Sequence, residues 1–159
     1  MGDKMIKGFI CSLLVFSAFF VCAETVQAEE IKFETKDISV SFEGFPFNMS
    51  GFAPGMETGT NTIAINNNED FNTDIYIGAS STVPSPKLAE VLTLHIGDDS
   101  AHISYLLQDS MQFDSVSAGG EKSNDVSITF DKTAGNKYQN KYISFDLVVT
   151  VAEEGGDPF

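Results

Sequence analysis

Two histidines, His95 and His102, flank the turn-forming run Gly97-Asp98-Asp99-Ser100. In a hairpin centred between Asp98 and Asp99, residue 95 faces residue 102 on the same side of the ribbon, with Cβ atoms about 5 Å apart. Two imidazoles at that spacing, with a carboxylate nearby, are weak candidates for the start of a zinc or copper site. The plainer reading, which is favoured, is a pair of histidines on a solvated face that also carries Thr93 and Ser104. The two readings divide on register, because a slip of one residue separates the rings.

Oxygen ligands are also spaced suggestively at Asn66, Asn68 and Asp70, the alternate pattern of a calcium loop. Phe71 stands where such a loop needs glycine, and Ile77 where it needs a bidentate glutamate, so calcium is not expected. There is no HExxH, no GxSxG elbow and no phosphate-binding glycine loop. The carboxylates read as solvated surface, with no acid and base set apart by their environments. We therefore expect no enzyme activity, no catalytic residues, no bound metal and no cofactor.

Acidic residues outnumber basic ones 23 to 9, the formal net charge is −14, and every basic residue is lysine. Nucleic acid is excluded as a natural partner, since neutralising phosphates needs clustered Lys or Arg, and an anionic membrane would repel the chain. Acidity of this kind keeps an exported protein soluble.

Export is itself suggested by residues 1–28. Lys4 and Lys7 precede a nearly continuous apolar run, and small residues follow, which is the pattern of a secretory signal peptide. Val26 and Ala28 favour cleavage after Ala28; Val21 and Ala23 offer a competing site. Less favoured are an uncleaved anchor, for which the apolar run is short, and a lipid-modified Cys22. Both cysteines, Cys11 and Cys22, fall in this leader, so the exported chain has no thiol and no disulfide. We expect a secreted or cell-surface protein with no membrane association after cleavage. Residues 29–152 are expected to form one domain, and 153–159 a frayed polar tail.

That domain reads as all-β. Ile143, Phe145, Leu147, Val149 and Val151 alternate cleanly, predicting a central strand with one buried face. Similar alternation marks residues 31–33, 38–42, 61–66, 74–80, 91–96, 101–107, 111–116 and 126–130. Only residues 85–90, with Pro86 behind Ser85, suit a helical turn. Short strands separated by Gly, Asn or Pro, with very little helix, predict a single antiparallel β-sandwich.

Residues 134–154, AGNKYQNKYISFDLVVTVAEE, resemble the closing segment of the TasA/camelysin family of secreted biofilm-matrix proteins. Ala134, Gly135, Asn136, Tyr138 and Gln139 carry the similarity, followed by Ser144, Phe145 and Asp146. Residues 52–77 are similar to the family's proline-glycine turn, following strand and asparagine-containing loop. The resemblance implies a jelly-roll-like sandwich acting as subunit or accessory of an extracellular fibre, assembled by donor-strand exchange with itself or a related matrix protein. The strand donor it points to is Glu29, Glu30, Ile31, Lys32, Phe33, Glu34 and Thr35, which cleavage after Ala28 would free and no tight turn ties to Ile38; the alternative is that the same residues pair within their own domain. The alternatives are a monomeric adhesive or ligand-binding sandwich, using Phe45, Phe47 and Phe52 as a contact surface, and a metal-dependent peptidase.

Overall fold

The computed structural model describes residues 11–19, 31–34, 38–43, 51–138 and 141–156, the first two segments as backbone strands. Among these residues ten strands form two antiparallel sheets. One sheet has four strands in the order β1 (Cys11–Phe19), β10 (Ser144–Glu153), β5 (Thr73–Val83) and β8 (Met111–Val116). The other has six, in the order β2 (Ile31–Glu34), β3 (Ile38–Glu43), β4 (Asn61–Asn67), β9 (Glu121–Phe130), β6 (Leu92–Ile96) and β7 (Asp99–His102). The chain changes sheet between β1 and β2, β4 and β5, β5 and β6, β7 and β8, β8 and β9, and β9 and β10. This repeated crossing makes a jelly-roll-like all-β sandwich.

The period-two pattern accounts for the layers. Ile63, Ile65, Leu92, Leu94, Ile96, Val126 and Ile128 turn inward from the six-stranded sheet, and each is at most 1% exposed. Ile75, Ile77, Phe145, Leu147 and Val149 meet them from the four-stranded sheet with similar burial. Each such side chain contributes about 1.5–3 kcal/mol by leaving water. That burial and the ladder hydrogen bonds hold the two sheets together.

The helical turn α1 (Pro86–Ala89) forms where Pro86 predicts it, burying Leu88 and Ala89. A second, α2 (Ile103–Leu106), corrects the expectation of a strand through residue 107. Extended backbone would put Ile103 and Leu106 on opposite faces. The core takes both, at 0% and 1% exposure, and a helical turn is what brings residues three apart to one side. Tyr105 is left 46% exposed.

β10 runs to Glu153, and beyond it the Glu154 amide donates to the Asn72 carbonyl at 2.9 Å and the Gly155 amide to Asp74 Oδ2 at 3.0 Å. The apolar run near the start of the sequence also has a place in the sandwich, since β1 lies antiparallel to β10 from Cys11↔Val151 to Phe19↔Ser144.

Candidate functional site

The histidines do not come together as the predicted hairpin requires. Gly97, at φ 55°, places the turn earlier than expected, so the register is Thr93↔His102 and His95↔Ser100. His95 and His102 are thus diagonal positions on one face and not direct partners. Each is tied to a threonine: His95 Nε2 lies 2.8 Å from Thr129 Oγ1, and His102 Nδ1 lies 3.3 Å from Thr93 Oγ1. Among the described residues no group of three or more His, Cys, Asp or Glu is arranged to hold a metal ion.

The asparagine loop is organised by a residue the calcium pattern skips. Asn67 continues the inward row of Ile63 and Ile65 and is fully buried. Its Nδ2 donates to the carbonyls of Phe71, Val116 and Ser117 at 2.9, 3.2 and 3.2 Å, while its Oδ1 accepts the Glu69 amide at 3.0 Å. These bonds stitch the loop to the end of β8. Alternation after Ile65 is the signal that could have found it; the run of three asparagines disguised it.

The residues behind the family resemblance lie at the crossing from β9 to β10. Asp131 Oδ1 accepts the amide and the hydroxyl of Thr133, each at 2.8 Å, and the Ala134 amide donates to the Asp131 carbonyl at 3.1 Å. The Thr133 amide, then its hydroxyl, holds the Asp131 carboxyl below its ordinary range. Ala134 is buried, Gly135 is exposed, and Asn136–Tyr138 form a 3-10 turn. Tyr138 meets Phe130 edge-on at 6.0 Å, and its ring carries the Lys137 ammonium at 5.0 Å. Gln139 lies outside the described residues.

Phe52 packs on Phe130 as well, with centroids 5.7 Å apart. The two stretches that carry the resemblance therefore meet at one ring. Phe52 is half-buried against the core and cannot serve as a freely projecting contact; Phe45 and Phe47 lie outside the described residues.

Of the strand-donor segment, residues 31–34 pair within their own chain as β2, with Ile31↔Phe42, Lys32↔Ser41, Phe33↔Val40 and Glu34↔Ser39. Glu29, Glu30 and Thr35 lie outside the described residues. Among the described residues β2 is the edge of its sheet and has β3 as its one ladder partner. β1 occupies the corresponding position on the other sheet, against β10 alone. Each sheet thus ends in a strand from the N-terminal part of the chain.

The strand beneath β1 carries polar groups of unusual burial. Ser144 and Asp146 alternate with core-facing Phe145 and Leu147, yet are only 3% and 6% exposed. Ser144 Oγ accepts from Thr82 Oγ1 at 2.6 Å. Asp146 Oδ1 is buried with no hydrogen-bond partner, and its register neighbours are Ser80 on β5 and Ser17 on β1. No helix of the described residues is long and apolar enough to cross a membrane.

No family model, curated protein or solved structure matches this chain.

Proposed function

We propose that this chain is a secreted structural protein of the bacterial cell exterior, a subunit or accessory of a matrix fibre that assembles by strand exchange. The observation that carries this reading is the arrangement of the edges: both sheets end in an N-terminal strand held by one ladder partner. A strand held by one ladder partner can leave it for a neighbouring copy, where new ladder hydrogen bonds replace those it gives up. The resemblance at residues 134–154 supports the same assignment, as does the acidic charge, which suits a matrix protein more than a nucleic-acid or membrane binder.

The leader directs the chain out of the cell in this reading, and cleavage after Ala28 leaves residues 29–35 as the new N-terminus. Ile31 and Phe33 then provide the apolar row of a donated strand. The motif residues Ala134 to Tyr138 act by fixing the entry to β10 and perform no chemistry. Deleting residues 29–35 from the secreted protein tests this: the expected product is a folded monomer that does not elongate. Polymerisation unaffected by the deletion would overturn strand donation.

A further inference from the structure

We propose that the outer edge of β10 is the acceptor for the donated strand, that Lys32 of the incoming copy pairs with Asp146 there, and that residues 11–19 cap this edge until the leader is removed. The inference rests on the strand-exchange reading above and identifies the surface and the register it would use.

Three observations converge on this edge. First, β10 accepts an antiparallel strand along residues 144–151, because β1 occupies that ladder in the intact chain. Removing the leader through Ala28 takes β1 away and leaves β5 as the sole ladder neighbour of β10. A long strand whose other face is the core cannot be left open without inviting a partner. Second, a second copy of this chain can supply such a strand, because in the strand-exchange reading its N-terminus begins at residue 29 and carries Ile31 and Phe33 in alternation. Third, Asp146 supplies the register. Its Oδ1 is buried and unpartnered while β1 is in place, and β1 offers Ser17 at that row, within a segment that contains no cation.

The donor sequence matches that need. Alternate residues of a strand face opposite sides, so a strand that turns Ile31 and Phe33 toward the core presents Lys32 on the other face. That is the face of Asp146, which alternates with core-facing Phe145 and Leu147. Lys32 across from Asp146 gives the carboxylate a charged donor and fixes the register of the incoming strand, since a slip of one residue would turn Lys32 into the core. Glu30 and Glu34, two positions to either side, disfavour the nearest in-phase slips by placing a carboxylate against Asp146.

The cap is tested in the intact chain, and the acceptor in the secreted chain. Cys11 is the register partner of Val151, so Val151→Cys in a Cys22→Ser background should form a disulfide with the native Cys11, found by peptide mass spectrometry. Absence of that disulfide overturns the cap. For the acceptor, secreted Lys32→Glu and secreted Asp146→Lys should each elongate at least about tenfold more slowly than the unaltered protein, and an equal mixture should recover because opposite charges again meet. Asp146→Asn, with circular dichroism on every variant, separates loss of assembly from loss of fold. Unaltered elongation by folded Lys32→Glu and Asp146→Asn variants would place the acceptor elsewhere. Failure of the unaltered secreted protein to form any filament would instead defeat the strand-exchange reading itself.

Discussion

Tyr138 stands edge-on to Phe130 at 6.0 Å with the ring planes at 71°, so the 3-10 turn before β10 is anchored to the last residue of β9. Through this contact a polar, turn-forming connection becomes part of the core's rim. Tyr138→Ala should lower stability by about 2 kcal/mol, combining lost burial of a half-buried ring with a lost aromatic pair. Tyr138→Phe keeps the ring and should lie within about 0.5 kcal/mol of the unaltered protein. Urea midpoints at constant slope measure both.

Asn67 should be among the least replaceable polar residues. Asn67→Ala leaves the carbonyls of Phe71, Val116 and Ser117 without its donor, and a loss of about 2–4 kcal/mol is expected. Asn67→Asp should be worse at neutral pH, because it sets a carboxylate against those same oxygens. Calcium added to either variant should restore nothing, which calorimetry can check.

The acid limb of stability should depend on Asp114. Burial raises its pKa, and this is outweighed by hydrogen bonds from Lys122, Asn124 and the Ser115 amide together with the Lys122 charge, so the carboxyl lies below its ordinary value of 3.8. A depressed folded-state pKa contributes stability that is fully present above the unfolded value and is lost as pH falls through the folded one. Stability should therefore decline below about pH 4, and Asp114→Asn should flatten that decline. High salt should weaken the same contribution, since the Lys122 side chain is half exposed.

The hairpin offers a test of register. Gly97 has φ 55°, and a Cβ there would lie 2.8 Å from Asn124 Oδ1, so Gly97→Ala should cost about 1–2 kcal/mol. His95→Ala should cost about 1 kcal/mol through its lost bond to Thr129. Zinc titrated into the unaltered protein should shift neither histidine ring resonance stoichiometrically, because the diagonal register leaves the two rings with separate threonine partners.

The sheets were legible wherever one face is apolar and the other polar. Residues 143–151 predicted β10, and 126–130 predicted the core of β9, because alternation reports burial directly. Where two demands compete, alternation misleads. Ile103, Tyr105 and Leu107 read as a strand face, but Leu106 has the stronger claim on the core and converts the segment to α2. Asn67 looked like loop because its neighbours are asparagines, although its place in the inward row was already set by Ile63 and Ile65. Hairpin register was out of reach of pattern alone: the whole spacing of His95 and His102 depends on which residue takes the positive φ, and Gly97 takes it.

The edge of β10 was not legible for a different reason. Asp146 reads as an ordinary outward residue, and only the packed structure reveals it as buried with an unpartnered oxygen. Equally, a continuous apolar run has no alternation to announce a strand, so the pairing of β1 with β10 emerges only in three dimensions. β10 lies between β1 and β5 in the described structure, and the cleavage proposed above would turn it into an edge.

Electron microscopy of the secreted, processed protein tests the central claim most directly. Strand exchange predicts filaments from residues 29–159, and monomers when residues 29–35 are also removed. Monodisperse single particles of the processed, folded protein at high concentration would contradict it.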